Sequence, residues 1–389
     1  MTNLRSLPWI ERLVGIDTTS RNSNLELIEL VAAAFREHGI EPHTFPTPDG
    51  KKANLIATVP AADGTISGGV VLSGHTDVVP VDGQDWDSDP FSVKITEDKL
   101  FGRGVADMKS FIAVALTWLP EIVAAELSEP IHFAFTYDEE LGCLGGEEIV
   151  KQIADLGLSP RIAFIGEPTS MQVVRGHKSV NLIKATFTGV TAHSSLTSAG
   201  VNAIEYAAKL ITYFRDYTQK WKTEGPFDEE FLLPYSTGGS NVINGGTASN
   251  IIPAEAVVEL DFRTIGAVDP DTVIGDVFAK IAELDEQMKA ENPAAGATAV
   301  VPSKVPGLDT GTDSDAVAFG ALLGVDSSEV KVTYGTEAGQ FAGTGIAAVV
   351  VGPGDIAQAH TANEWIAVDQ IEKCEKFIGE LIRELSRPS

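Results

Sequence analysis

Apolar residues recur along this chain in two rhythms. Short runs rich in Val and Ile at 54–59, 70–73, 131–137, 162–165 and 347–351 read as strands, and the segments around them carry the 3.6-residue period of amphipathic helices. The clearest helices are 25–38, with Leu27, Ile28, Val31 and Phe35 on one stripe, and 369–386, with Ile371, Cys374, Phe377, Ile378, Leu381 and Leu385 on another. Apolar strands alternating with helices predict an α/β domain built on a mainly parallel sheet.

Between about residues 179 and 300 the order changes. A strand at 181–188, a helix at 202–217, strands at 240–244 and 256–263 and a helix at 270–290 give the succession β-α-β-β-α. That succession predicts a small ferredoxin-like α+β unit with an antiparallel sheet. At 389 residues the chain also exceeds the size at which one core keeps growing. The expected organisation is a catalytic domain made of 1–178 and 301–389, with 179–300 inserted into it.

Composition narrows the function classes. A net charge of −27 with no basic cluster excludes the electrostatic footprint of a nucleic-acid binder. The richest apolar stretch, 111–127, is interrupted by Pro120 and Glu121 and is too short to span a bilayer. The first residues carry no signal-peptide run, so a cytoplasmic protein is expected. Two cysteines, Cys143 and Cys374, do not make a disulfide framework, and Cys374 falls on the apolar stripe of its helix.

Chemistry gathers where the strands end. In an open α/β sheet, ligands bind beyond the carboxyl ends of the strands. The run 70–73 leads into His75-Thr76-Asp77, the run 131–137 into Asp138-Glu139-Glu140, and 162–165 into Gly166-Glu167, while His360 follows 347–351. Asp107 stands where a Gly-rich loop turns into an apolar helix. Each alone has a plain reading: a hydrogen-bonded histidine, a solvated acidic turn, a helix N-cap. Brought to one sheet edge, two histidines and three carboxylates suit the nitrogen and oxygen preference of zinc. Asp77, two residues beyond His75 on an extended segment, is placed to orient its imidazole, with a turn cap as the alternative. Adjacent Glu139 and Glu140 must point apart, so one can bind metal while the other moves protons.

Two lookalikes fail on context. Gly343-Thr344-Gly345 precedes a strand instead of opening a helix, unlike a dinucleotide loop, and the acidic run at 85–89 has Pro90 and Thr96 where a calcium loop requires Gly and Glu.

The motifs Ser73-Gly74-His75-Thr76-Asp77, Gly102-Arg103-Gly104 through Asp107-Met108-Lys109, Asp138-Glu139-Glu140, Gly166-Glu167-Pro168, Thr191-Ala192-His193-Ser194-Ser195 and His360 together resemble the M20 family of co-catalytic metallopeptidases and deacylases. The resemblance implies two zinc ions, with cobalt able to substitute. Asp107 would bridge them, His75 and Glu167 would complete one site, Glu140 and His360 the other, and Glu139 would be the general base. It further implies a homodimer formed by the inserted domain, with His193 reaching into the partner's active site.

The substrate expected from this resemblance is a small N2-acyl amino acid, N2-acetylornithine foremost. Asn250 is similar to the family's substrate-contacting asparagine. Thr336-Glu337-Ala338 looks like the signature of the acetylornithine deacetylases and lacks the arginine with which desuccinylases receive a second carboxylate. Arg263, at a strand end, has the fork to grip an α-carboxylate, or is a plain surface arginine. Glu337 can attract a cationic side chain, or is a plain loop acid. Deacylases of other N-acyl amino acids, a succinyl-diaminopimelate desuccinylase, and a non-catalytic dimeric binding protein on the same scaffold remain the alternatives. Retention of Glu139, all five metal-ligand candidates and His193 weighs against the last.

Overall fold

The computed structural model describes residues 4–387, and the chain divides into two units. The first comprises the chain up to Gly176, Leu308–Lys331 and everything from Thr336 on; the second comprises His177–Gly307 and Val332–Gly335. The insert thus runs from 177 to 307 rather than from 179 to 300. The sequence boundary at 300 cuts through Gly296–Val305, a strand that the apolar pattern did not disclose.

The first unit is built on a six-stranded sheet. In spatial order its strands are His43–Pro46, Ala53–Val59, Ile131–Thr136, Val70–His75, Ile162–Ile165 and Ala347–Val350. The last four are mutually parallel. Ala53–Val59 runs antiparallel to Ile131–Thr136, so the sheet is mixed, with its antiparallel strands at one edge. Val70–His75 and Ile131–Thr136 are buried along their whole length, as central strands covered on both faces require. Leu72, Phe133, Phe135 and Phe164 join one core with Phe35 of the helix Leu25–Glu37, Phe111 of Lys109–Thr117 and Phe377 of Val368–Leu385. The four parallel strands therefore deliver their carboxyl ends to one edge, and the apolar core fixes that edge in place. Cys374 is buried in this core.

The second unit has the order β-α-β-β-α-β. A four-stranded antiparallel sheet, in the spatial order Thr237–Gly245, Glu255–Arg263, Val180–Thr188 and Gly296–Val305, is accompanied by two long helices, Ala203–Glu224 and Pro270–Glu291. This is a ferredoxin-like arrangement. Val180–Thr188 and Glu255–Arg263 alternate in burial with period two; Ile183, Ala185, Phe187, Val258, Leu260 and Phe262 pack against Leu210, Phe214, Val277 and Ile281 of the helices. Both helices begin at side-chain caps. Asn202 accepts from the amides of Ile204 and Glu205, and Asp269 from that of Asp271 with Pro270 at the first helical turn. Among the described residues no helix is long and apolar enough to cross a membrane.

Candidate metal centre

The carboxyl ends of the parallel strands bring His75, Asp107, Glu139, Glu140, Glu167 and His360 together in the first unit. His75 is the last residue of its strand and is buried. Because Val70–His75 lies between Ile131–Thr136 and Ile162–Ile165, Glu139 and Glu140 approach it from one neighbouring strand and Glu167 from the other. Asp107 enters from the loop before Lys109–Thr117. It is not that helix's N-cap, a position held by Met108, and the Asp107–Met108 peptide is cis.

Asp107 divides its two oxygens. Oδ1 lies 2.9 Å from Nε2 of His75, and Oδ2 lies 3.1 Å from Nε2 of His360. His75 Nε2 is also 3.5 Å from Glu167 Oε1, and His360 Nε2 is 3.1 Å from Glu140 Oε1. These separations bracket the edge of a tetrahedron with arms of about 2.0–2.1 Å, roughly 3.3 Å, so the donor set has the spacing of ligands around zinc-sized ions. Ligand atoms of His75, Glu139 and Glu167 also lie within 4.8 Å of one another, as do those of His75, Asp107 and Glu140. Proximity alone therefore leaves Glu139 near the first group. The contacts separate the adjacent glutamates: Glu140 pairs with His360, whereas Glu139 Oε1 accepts from the Cys143 thiol at 3.3 Å.

Asp77 meets the His75 imidazole and also the turn that follows the neighbouring strand. The His75 imidazole donates from Nδ1 to the backbone carbonyl of Asp77 at 2.9 Å, which leaves Nε2 free as a ligand, while the Asp77 carboxylate stands 3.6 Å away. That carboxylate accepts from Ser20 Oγ at 2.7 Å and from the amides of Glu139 and Glu140 at 3.0 and 3.4 Å. It pins the turn that aims both glutamates.

The cluster is electrostatically crowded. Burial, reinforced by neighbouring carboxylates, pushes Glu139, Glu140 and Glu167 above the usual carboxylate range. Burial raises Asp107 too, but hydrogen bonds from His360 and His75 outweigh it and hold this carboxyl well below that range. Burial disfavours charge on His75, yet Glu167, Asp107 and Asp77 overcome it and raise its pKa, and hydrogen bonds to Asp107 and Glu140 push His360 up to about 10. Carboxyls whose ionised form burial disfavours, facing two imidazoles whose charged form they favour, suit a cation.

The remaining candidates lie elsewhere. Glu337 belongs to the first unit but is only 1% exposed, and its Oε1 has no hydrogen-bond partner. It packs on Gly146, where an added Cβ would stand 2.7 Å from Glu337 Oε1 and 2.0 Å from Gln340 Oε1. Burial pushes its pKa up to about 7. A loop acid read from sequence as open to a cation is thus enclosed in the protein. His193 and Asn250 belong to the second unit, both exposed, on segments joined by a His193–Ile251 bridge and by the Ser194 amide donating to the Asn250 carbonyl at 2.9 Å. Arg263 ends the strand Glu255–Arg263, partly exposed, with Nε 3.8 Å from Asp261 Oδ1. Sequence reasoning overlooked Ser20, Cys143 and Lys52, which pairs with Asp138 beside the two glutamates, because each meets its partner only through the fold.

Residues 71–384 match the peptidase family M20/M25/M40. The chain belongs to this family. Acetylornithine deacetylases of Proteus mirabilis and Yersinia pestis are 35% and 34% identical to it over 380 and 381 residues, covering 97% of this chain in each case and 94% and 95% of theirs. A tripeptidase of Staphylococcus aureus shares the fold with a TM-score of 0.75 at 21% identity, covering 99% of this chain and 98% of that one. A dinuclear metal binding M20 peptidase of Bacillus subtilis shares it with a TM-score of 0.66 at 16% identity, covering 98% of both. As a member of the M20 family with such relatives, the chain is a metal-dependent amidohydrolase.

The buried carboxyl of Glu337 yields a sign-specific test in metal-free protein. Its folded pKa of about 7 lies above its ordinary 4.5, so between those values the folded state holds the extra proton and stability falls as pH rises. Glu337→Gln is expected to flatten this fall by about 3 kcal/mol between roughly pH 4.5 and 7. Denaturant unfolding across that window checks it; an unchanged slope refutes the assignment.

Proposed function

We propose that this chain hydrolyses the amide of a small N2-acyl amino acid, N2-acetylornithine foremost, at two divalent ions in the cytoplasm. The observation that carries the substrate is identity of 34–35% to acetylornithine deacetylases across 97% of the chain, joined to a centre whose Asp107 divides its oxygens between two histidines. In this reading His75 and Glu167 hold one ion, Glu140 and His360 the other, and Asp107 holds both. Zinc or cobalt, when bound there, supplies a Lewis acid and brings the pKa of water toward neutrality.

Glu139 is the proton carrier. Its carboxylate takes a proton from water as the amide carbonyl is attacked and returns it to the nitrogen of the departing amine. Cys143 and the pinned 139–140 turn keep that carboxylate aimed. The inserted unit forms a homodimer, a reading supported by the exposed Val242 and Ile243 on its edge strand Thr237–Gly245. His193 of a second copy then donates to the developing oxyanion, a contribution worth about 3–4 kcal/mol for a well-placed donor. Asn250 and Arg263 receive the α-carboxylate, for which a guanidinium offers two parallel donors. Glu337, enclosed in the same unit as the metal centre, lends negative potential to the substrate's cationic end once its carboxyl ionises, at about pH 7 and above.

Glu139→Ala removes a proton carrier and no ligand, so it is expected to take up two ions per chain while kcat falls by about 10²–10⁴. Turnover paired with elemental analysis reads both quantities, and near-normal kcat defeats the assignment.

For the substrate, kcat/KM is compared for N2-acetylornithine, N-acetylmethionine and N-succinyl-diaminopimelate. N2-acetylornithine is expected to lead, and faster succinyl than acetyl turnover overturns the choice.

Mixing inactive Glu139→Ala and inactive His193→Ala chains should restore activity, since a mixed dimer contains one site with neither defect. No recovery after demonstrated subunit exchange removes the shared-site reading.

A further inference from the structure

His360 is the most exposed of the candidate ligands, its side chain 50% accessible, and its backbone sits in the left-handed region at φ 61°. A non-glycine residue holds that conformation only where its surroundings impose it. The segment 359–364 follows a short 3₁₀ turn, Ile356–Gln358, and no helix or strand contains it. Something else must hold this ligand opposite Asp107.

Three side chains do so. The Glu364 carboxylate is buried and uses both oxygens: Oε2 accepts from Nη1 of Arg103 at 2.7 Å, and Oε1 accepts from the amides of Ala106 at 2.9 Å and Asp107 at 3.2 Å. Its backbone carbonyl accepts from the Gly102 amide at 3.0 Å. Arg103, equally buried, donates from Nη2 to Gln84 Oε1 at 2.6 Å, an oxygen that also receives the Trp86 indole N–H at 3.1 Å. Gln84 then donates from Nε2 to the backbone carbonyl of His360 at 3.0 Å. The contacts close a ring. Asp107 and His360 face each other across 3.1 Å on one side, and their backbones are tied through Glu364, Arg103 and Gln84 on the other.

The buried Arg103–Glu364 pair is weak evidence for stability, because taking both charges out of water offsets much of their attraction. Its geometry instead joins the two segments that supply ligands to one ion. We propose that Gln84, Arg103 and Glu364 are positioning residues that hold His360 opposite Asp107 and so set the affinity of the ion held by Asp107, Glu140 and His360 more strongly than that of the ion held by His75 and Glu167, which shares only Asp107 with it. The proposal rests on the two-ion reading above.

The full chain, stripped of metal, is titrated with Co²⁺ alone while heat and visible absorption are recorded. The binding step lost in His360→Ala marks the site in question. Gln84→Ala, which buries no unpaired charge, is expected to weaken that step by roughly 10–100-fold and to leave the other within about twofold, with an unchanged melting temperature. The double variant Arg103→Met/Glu364→Gln, which removes both charges together, should weaken that step more than the other if a single charge-removing variant fails to fold, the smaller effect on the other step passing through the shared Asp107. Uptake of two ions by the wild type with both steps unchanged in Gln84→Ala, or both weakened alike, overturns the positioning role alone. Uptake of fewer than two ions by the wild type overturns the two-ion reading and this proposal with it.

Discussion

Like charges crowded into a largely buried space dominate this molecule. Asp77, Asp107, Glu139, Glu140 and Glu167 converge on two imidazoles at the edge of one sheet, and burial alone disfavours ionising every carboxyl among them. Such a cluster persists only where cations, protons or directed hydrogen bonds compensate. The surrounding structure supplies the hydrogen bonds: backbone amides for Asp77, a thiol for Glu139, a backbone carbonyl for the far nitrogen of His75. A cation among these groups would relieve the rest, and this is why a carboxylate-rich cluster is a candidate metal site.

The fold meets the constraint by dividing labour. Parallel strands buried on both faces provide rigid stems, and their ends present candidate ligands within a few ångströms of one another. Loops contribute the remaining pair. Asp107 and His360 lie on segments without regular structure of their own and are anchored through Glu364, Arg103 and Gln84, while the turn bearing Glu139 and Glu140 is anchored by Asp77.

The second unit has an independent core, with the alternating burial of its sheet set against two capped helices. Its exposed His193 and Asn250 sit on a bridged pair of segments, so they share one surface although 57 positions separate them in sequence. Glu337, by contrast, is enclosed in the first unit against Gly146.

The sequence by itself determined which imidazole and carboxyl groups stand at the strand ends. His75, Glu139, Glu140 and Glu167 follow apolar runs directly, and that adjacency is a local property written in consecutive residues. The insert was legible for the same reason, through a change in apolar rhythm, although Gly296–Val305 escaped because its small and polar residues dilute the alternation. Tertiary structure alone decided the rest. That the Asp77 carboxylate pins a turn, that Glu337 is enclosed, and that Gln84, Arg103 and Glu364 tie Asp107 to His360 all depend on contacts between distant positions. Arg103 and Glu364 stand 261 residues apart, and Gln84 and His360 are separated by 276. Burial and hydrogen-bond partnership are relations between chain segments brought together by packing, and no window of neighbouring residues contains them.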